Sequence, residues 1–373
     1  MRPLMVSHTG VPGGSNEVLL ALLEHCPPDT APACIFLGEG DSAARAGGLG
    51  TPTAIVGSGR ARQLSLAPRL VRRLRGAIRA HQADVVFSHT VKSHLYAGVA
   101  AALEDVPCLW WQHALPGQQP LLEFVGKAWP TNAIVCSSDF TAAMQRASAR
   151  GVPVHRIHPG THLPDELPQT RSAGRHVGMV TRLQRYKRVE LLLEAVPQVL
   201  AEEPEATFSV LGAGDPAVDP EYPAELNALI RELDISSAVT LHGHVDDAAT
   251  RIGTFDLLVH TARQEPFGLV YLEAMARGVP VIGPPAGGSA EIVRPGIDGL
   301  LVDVTDAGRL AGAVVALLRD PVLRAAMGTS GRQRIAEHFT VEAMAEAAWD
   351  LVTLVARERQ PSARRRRSPL REP

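Results

Sequence analysis

The chain is poor in the residues that mark several classes of protein. Its 373 residues include four cysteines, and none of them forms a CxxC pair. Four are too few for a disulfide framework, and the missing pair argues against a zinc site. No run of 18 or more apolar residues occurs, which argues against a transmembrane helix. The apolar stretch at the N-terminus is too short for a signal peptide, so we expect a cytoplasmic protein.

Lysine is scarce as well. Of the 37 basic residues, three are lysines, namely Lys92, Lys127 and Lys187, and all the others are arginines. Lysine carries a compact point charge, whereas arginine carries a planar fork of donors. A lysine kept at a functional position of this chain therefore calls for an explanation.

What remains is the composition of a folded globular protein. Hydrophobic residues make up 45% of the chain and charged residues 20%, which is not a disordered composition. The length is about two to three times that of a typical domain, so two domains are expected.

Short apolar runs alternate with amphipathic segments along the chain. Predicted strands such as Val85–Ser88 and Cys108–Gln112 are separated by predicted helices such as Ser15–His25 and Ser93–Leu103. The pattern lapses around Pro159–Ala173 and then restarts. Such alternation is typical of a parallel sheet covered on both faces. We therefore predict an α/β protein with two doubly wound parallel-sheet domains that face a central cleft.

The predicted domains span residues 1–165 and 166–338. A terminal helix is predicted at 339–356, and the Arg-rich, Pro-containing segment 357–373 is predicted to be disordered because it cannot bury a core.

A basic segment lies within the first predicted domain. Residues 42–83 contain eight arginines and no acidic residue, and Leu66, Leu70, Leu74 and Ile78 repeat at helical spacing. One interpretation is a helix that packs on the core and turns its arginines to solvent. The other is a basic amphipathic helix that meets anionic lipid or an anionic acceptor, which would place the protein at the inner face of the membrane.

Glycine-rich loops follow strands in both halves. Gly13 and Gly14 precede a predicted helix, where backbone amides and the helix dipole suit an anionic ligand. A second loop, Leu211–Pro216, also follows a strand. An ordinary turn is the alternative for each loop. Neither a G-x-G-x-x-G fingerprint at the first loop nor a P-loop motif is present, so a nicotinamide cofactor and a P-loop NTPase are not supported.

Charged residues of the second half form a set suited to a diphosphate. Arg182 and Lys187 lie where a strand gives way to a helix, and together they could neutralise a departing diphosphate. Glu265 lies in a loop after another strand, and Glu273 lies eight residues later within the following helix. A carboxylate among apolar neighbours needs hydrogen-bond partners, and ribose hydroxyls would serve.

Two glycine segments complete the pattern, Gly287-Gly288-x-x-Glu291 and Asp298-Gly-Leu-Leu-Val302. With the Arg182/Lys187 segment and the E-x7-E pair, they occur in an order that resembles the family 4 glycosyltransferases. These are retaining enzymes of GT-B architecture, with two Rossmann-like domains. The resemblance covers residues 176–302 strongly and the first half more loosely, through Gly13 and Gly14. It implies that the first domain binds the acceptor, that the second binds the nucleotide sugar, and that the terminal helix 339–356 packs back on the first domain.

The resemblance implies roles for these residues. Arg182 and Lys187 would hold the diphosphate of a nucleotide-sugar donor, Glu265 would face the donor sugar near the reacting centre, and Glu273 would bind the ribose. The amides of the turn would contact the donor sugar or phosphate; the turn comprises Phe267, Gly268 and Leu269. No metal is expected, because cationic side chains and helix dipoles neutralise the diphosphate in this family.

A histidine after a strand of the first domain commonly lies near donor sugar and acceptor in this family. His113 is the best match, and His8 and His89 are rivals because each also follows a strand. Two positions depart from the family pattern: Thr181 and Arg188 stand where the family often has glycine. A third departure is His158-Pro159-Gly160, which replaces the usual asparagine of the linker.

The sequence therefore predicts a retaining glycosyltransferase that uses a nucleotide-diphosphate sugar and an acceptor that is a glycan, a lipid-linked molecule or a small molecule. No nucleic-acid partner is expected. The alternatives are a catalytically silent nucleotide-sugar-binding protein and a sugar-nucleotide epimerase of the same fold.

Overall fold

The computed structural model divides the chain into two compact units. The first contains Met1–Pro159 together with the C-terminal helix Val341–Arg357, and the second contains Gly160–Thr340. The division falls six residues before the predicted boundary at 165/166. The structure describes residues 1–57, 67–117, 123–124, 126, 129–149, 151–167, 174–215 and 218–357. The predicted disordered tail, apart from Arg357, lies outside these residues.

The first unit is built on a seven-stranded sheet in which all strands are parallel. Its strands lie in the order β3-β2-β1-β4-β5-β6-β7. They are β1 Pro3–Ser7, β2 Ala33–Phe36, β3 Thr53–Ile55, β4 Val85–Ser88, β5 Cys108–Gln112, β6 Ala133–Cys136 and β7 Val154–Arg156. Because the chain leaves β1 in one direction and returns to β4 on its other side, the ends of β1 and β4 form a topological switch point.

Helices cover both faces of this sheet, as predicted. They are Gly14–Glu24, Asp41–Gly48, Ala67–His81, Val91–Leu103, Asp139–Arg146 and Val341–Arg357. Alternate strand residues supply the two cores: Met5 packs in one apolar cluster with the first and last helices, whereas Leu4 and Val6 pack in another with Ala67–His81.

The C-terminal helix is part of the core of the first unit. Trp349 is buried there, and its Nε1 donates to the carbonyl oxygen of Leu22 at 3.0 Å. At the surface, His25 lies 3.4 Å from Glu342.

The second unit is built on a six-stranded parallel sheet in the order β10-β9-β8-β11-β12-β13. Its strands are β8 His176–Val180, β9 Thr207–Leu211, β10 Val239–Gly243, β11 Leu257–Val259, β12 Val281–Gly283 and β13 Gly299–Leu301. The switch point here lies between β8 and β11. The prediction of two doubly wound parallel-sheet units is thus confirmed.

The helices of the second unit again lie on both faces. They are Val189–Glu202, Tyr222–Glu232, Ala248–Ile252, Leu269–Ala276, Ser289–Ile292, Ala307–Arg319 and Pro321–His338, with a 3₁₀ turn at Arg185–Lys187. Among the helices of the described residues, none has the length and apolar character needed to cross a bilayer.

Candidate functional site

The loops that follow β8 and β11 bring Lys187 and Glu265 into contact. Lys187 Nζ lies 2.5 Å from Glu265 Oε2. Both side chains are largely buried, with 10% and 13% of their surfaces exposed. In open α/β sheets, ligands bind beyond the carboxyl ends of the strands at the switch point. This pair therefore marks the second unit's candidate site.

The pair is held in its charged form. Burial favours the neutral acid, but the charge of Lys187 and the hydrogen bond from His260 outweigh it and lower the pKa of Glu265. Burial likewise opposes the charge of Lys187, and the attraction of Glu265 outweighs it and raises the pKa of that ammonium. A buried ammonium and carboxylate are thus both ionised near neutral pH.

His260 is the second partner of Glu265. Its Nε2 lies 3.2 Å from Oε2, the same oxygen that Lys187 contacts. The ring is buried, and it meets the ring of Tyr271 edge-on at 5.4 Å. Burial is the main cause of a lowered pKa of His260, so the imidazole is neutral at pH 7 and its Nε2–H donates to the carboxylate.

Thr261 fixes the loop that carries the lysine. Its hydroxyl oxygen lies 2.7 and 2.8 Å from the carbonyl oxygens of Lys187 and Arg188, which share its one proton in a three-centre hydrogen bond. Arg188 has a φ of 57°, in the left-handed region. This conformation explains why glycine suits the position in the family, since glycine adopts it without a clash of Cβ.

Glycines let the neighbouring loop approach Glu265 closely. A Cβ at Gly288 would lie 2.2 Å from the carbonyl oxygen of Phe267, and one at Gly287 would lie 2.6 Å from that of Glu265. The amide of Gly288 also donates to the Glu265 carbonyl at 3.0 Å. Gly268, with a φ of 101°, starts the helix Leu269–Ala276. The Gly-Gly segment therefore supports the loop that presents Glu265.

The loop at 211–216 has a structural explanation. A Cβ at Gly212 would lie 1.7 Å from the carbonyl oxygen of Thr181, and the amide of Leu183 donates to the carbonyl of Ala213 at 2.9 Å. Glycine at 212 is thus required for contact between the loops after β8 and β9. The alternative of an ordinary tight turn accounts for these contacts.

The other residues predicted for the second unit lie around the pair. Arg182 is exposed in the loop after β8 and forms no ion pair with residues that the structure describes. Leu269 and Glu273 are half-buried in the helix that follows Glu265. The main-chain carbonyl of Glu273 accepts from Arg277 at 3.0 Å. The charge of Glu273 also opposes the burial that lowers the pKa of Arg277.

The first unit has its own loops at the switch point of β1 and β4. Gly13 and Gly14 are exposed, and a Cβ at Gly13 would meet no atom within 4 Å. Asn16 fixes their loop, because its side-chain amide donates to the carbonyls of Thr9 and Val11 at 2.9 and 2.8 Å.

The three candidate histidines of the first unit lie beyond the ends of β1, β4 and β5. His8 Nδ1 lies 3.1 Å from the hydroxyl of Thr90. His113 is half-buried and stacks on Trp111 at 5.2 Å and on His89 at 6.0 Å. Its Nε2 has no hydrogen-bond partner among the described residues, and neither has either nitrogen of His89.

Burial makes these two rings poor bases. It lowers the pKa of His89 to about 3, and burial together with the neighbouring histidines lowers the pKa of His113 well below its ordinary value. At neutral pH His113 is therefore an uncharged hydrogen-bonding group and does not act as a cation.

Sequence reasoning missed His260 and Thr261. Both directly follow β11, the strand that precedes the Glu265 loop. Polar residues at the carboxyl end of a central strand are the signal that points to them. A lone histidine at such a place is equally typical of a packed core residue.

Comparisons with known proteins agree with this architecture. The family model described as "Glycosyltransferase Family 4" matches residues 12–164, and the one described as "Glycosyl transferases group 1" matches residues 169–334.

Two curated relatives are each 33% identical over the aligned region. The GDP-mannose-dependent monoacylated alpha-(1-6)-phosphatidylinositol monomannoside mannosyltransferase of Corynebacterium glutamicum aligns over 215 residues, 52% of either chain. The N-acetyl-alpha-D-glucosaminyl L-malate synthase of Bacillus anthracis aligns over 163 residues, 44% of this chain and 41% of the relative. The chain thus spans about half the length of the curated relatives that it matches.

Solved structures share the fold at low identity. HepE of Anabaena, crystallised with UDP and glucose, has a TM-score of 0.82 at 20% identity, over 95% of this chain and 99% of its own. Sucrose-phosphate synthase of Thermosynechococcus elongatus has a TM-score of 0.80 at 22% identity, over 95% of this chain and 99% of its own.

Proposed function

Because the chain belongs to the family 4 glycosyltransferases, we propose that it transfers a sugar from a nucleoside-diphosphate sugar to an acceptor, with retention of the anomeric configuration. The observation that carries this proposal is the buried, ionised Lys187–Glu265 pair at the switch point of the second unit. A buried lysine beside a carboxylate is costly to maintain, and a diphosphate that needs its charge gives a reason to keep it.

In this reaction, the bond between the anomeric carbon and the diphosphate oxygen breaks, and a bond from the acceptor oxygen forms on the same face of the sugar. The acceptor proton passes to the departing diphosphate. Lys187 and Arg182 stabilise the negative charge that grows on the leaving group. Glu265 accepts hydrogen bonds from the sugar, and Glu273 accepts them from the ribose.

The acceptor is a glycan, a lipid-linked molecule or a small molecule, and we propose that the first unit binds it. His113 presents an unpartnered, neutral imidazole nitrogen there. A neutral ring can exchange a hydrogen bond with an acceptor hydroxyl without attracting a competing anion.

The test is a screen of the purified protein against UDP-, GDP-, ADP- and dTDP-sugars, with thermal stabilisation and slow donor hydrolysis as readouts. We expect the sugars of one of these nucleotides to stabilise the protein and to be hydrolysed by it. Lys187→Ala should reduce hydrolysis by at least about tenfold, because it removes a charged contact to the leaving group. Glu265→Gln should reduce it by at least about tenfold, because it removes the carboxylate that holds the sugar. The exposed, uninvolved Lys92→Ala serves as the matched control.

The alternatives give different results. Stabilisation without hydrolysis or transfer would identify a silent binding protein, and an epimer formed from donor alone would identify an epimerase. If no nucleotide sugar binds, the proposed function is wrong.

We propose that no metal takes part, because Lys187 and Arg182 supply the positive charge that the diphosphate requires. Donor hydrolysis should then be unchanged in EDTA. Loss of hydrolysis in EDTA, with recovery on addition of Mg²⁺ or Mn²⁺, would contradict this.

The basic helix Ala67–His81 supports a proposal about a membrane surface. Arg75 and Arg79 both bind Glu104, at 2.6 Å. Arg69, Arg72 and Arg73 are exposed and form no ion pair with described residues, while Arg60 and Arg62 lie outside the described part of the chain. We propose that this exposed face adsorbs to anionic lipid.

Sedimentation with vesicles tests the adsorption. Vesicles that contain phosphatidylglycerol should carry the protein down at low salt, and phosphatidylcholine vesicles should not. Changing Arg69, Arg72 and Arg73 together to Gln should abolish sedimentation. Changing three exposed arginines of the second unit to Gln should leave sedimentation unaffected. Absence of binding at every salt concentration would contradict the proposal.

A further inference from the structure

One oxygen of the Glu265 carboxylate receives two hydrogen bonds. Oε2 accepts from Lys187 at 2.5 Å and from His260 at 3.2 Å. Among the described residues, no hydrogen bond reaches Oε1. The carboxylate therefore has one satisfied oxygen and one that remains available to accept.

The two donors of Oε2 differ in how firmly they are placed. His260 directly follows β11, and its amide donates to the carbonyl of Ile282 at 2.9 Å. The residue is 1% exposed, and its ring lies edge-on to Tyr271. Lys187, in contrast, reaches Glu265 through a flexible four-carbon side chain. The imidazole is thus the fixed donor and the ammonium the movable one.

The proposed reaction requires the ammonium to serve the diphosphate. A multiply charged phosphate attracts it more strongly than a single carboxylate does. If Lys187 were the sole partner, its departure would leave a buried carboxylate without a hydrogen bond, which is strongly unfavourable. His260 is already in place to prevent this.

We propose that His260 is a positioning residue that holds Oε2 of Glu265 when Lys187 turns to the donor diphosphate, so that Oε1 stays directed at the donor sugar. This inference rests on the proposed function. It accounts for a buried histidine that packing alone does not require, since its other ring nitrogen has no partner among the described residues.

Two variants separate positioning from packing. His260→Phe keeps a ring and removes the donor, whereas His260→Gln keeps a donor near the position of Nε2. With the donor found by the screen, we expect His260→Phe to lower kcat for hydrolysis at least tenfold and to change KM less than threefold. His260→Gln should recover kcat to within about threefold of the wild type. The exposed His244→Phe is the matched control.

A readout in the ligand-free protein tests the hydrogen bond itself. In long-range ¹H–¹⁵N spectra of the imidazole, Glu265→Gln should lower the pKa of His260, because a partner that favours the cation is lost. Lys187→Met should raise it, because a nearby positive charge is removed. If neither variant moves the titration, the inference is wrong.

The failures are distinguishable. Donor hydrolysis that is equal in the wild type and His260→Phe overturns the inference and leaves the proposed function standing. If His260→Phe and His260→Gln lose donor hydrolysis equally while both variants stay folded, the inference is also overturned. A protein that binds no nucleotide sugar overturns the proposed function instead.

Discussion

At the scale of single residues, the lysine at position 187 has a physical explanation. Lys187 is buried and contacts Glu265 and the ring of Tyr186, whose centroid lies 4.9 Å from Nζ. A guanidinium is bulkier and planar, and it would need more room beside Glu265 and the ring of Tyr186. The position therefore selects a compact cation.

The coupling of this pair to pH can be measured. The lowered pKa of Glu265 means that its contribution to stability is present above the ordinary carboxyl pKa of about 4.3 and is lost as the pH falls toward the lower, folded value. The raised pKa of Lys187 adds a contribution that is present below about 10.4 and is lost as the pH rises beyond it.

We expect Lys187→Met to destabilise the protein by about 3–5 kcal/mol at pH 7, because it removes the positive charge that balances a buried carboxylate, and the neutral His260 supplies only a hydrogen bond. The cost should shrink between pH 5 and pH 3, as protonation removes the stranded charge. The double variant Lys187→Met/Glu265→Gln should recover most of the loss. Urea unfolding of the wild type, Lys187→Met, Glu265→Gln and the double variant across this pH range measures the free energy of coupling between the two side chains. Purely additive effects of the two single changes would contradict the coupling.

Sequence reasoning at this scale reached the residues whose chemistry is unusual for their setting. Lys187 stood out by composition, and Glu265 by its place in a turn bounded by Pro266 and Gly268. His260 and Thr261 were missed because their importance depends on β11 lying next to β8. That adjacency is a property of the sheet order and cannot be read from local spacing.

At the scale of elements, the helix Pro321–His338 stabilises the ends of three others. Arg324 donates to the carbonyl of Leu317 at 2.6 Å, and Arg332 donates to that of Ala276 at 2.5 Å. Arg334 donates to that of Ile292 at 2.5 Å. Each guanidinium satisfies carbonyls that a helix C-terminus leaves unpaired and meets the negative end of its dipole.

The Gly-Gly segment gives a prediction for a loop. Gly288→Ala should destabilise the protein by at least about 3 kcal/mol, because the clash is with the main chain of Phe267, which cannot move without displacing Glu265. Gly312→Ala, in an open position within Ala307–Arg319, should stabilise it by about 1 kcal/mol.

Thermal unfolding compares these two variants, and donor hydrolysis reports on the loop. A fully active and stable Gly288→Ala protein would show that the loop does not depend on this contact.

Most elements could be predicted because buried parallel strands are apolar runs and the helices between them are amphipathic. β7, Asp41–Gly48 and Ala248–Ile252 were missed. These elements are short, and β7 is half-buried at an edge of its sheet, so its residues carry a weak pattern.

At the scale of the whole molecule, the first unit is discontinuous in sequence. Its core includes Trp349, from a helix that follows the entire second unit. Length alone suggested two domains, and the resemblance placed the last helix on the first of them.

The last helix gives a prediction for each unit separately. Trp349→Ala should destabilise the first unit by about 3–5 kcal/mol, through the loss of a buried aromatic side chain and its hydrogen bond to Leu22. Hydrogen exchange should report faster opening of residues 14–24 and unchanged protection of Val189–Glu202. Equal loss of protection in both units would contradict an effect confined to the first.

The late position of this helix has a consequence for synthesis on the ribosome. Domains generally fold as units while the chain emerges, N-terminal ones first. Here the apolar surface of Gly14–Glu24 is covered only after Val341–Arg357 has been synthesised. All residues of the second unit, Gly160–Thr340, are synthesised before that helix. The nascent second unit therefore has its full sequence before the first, and the apolar surface of the N-terminal half stays uncovered longest during synthesis.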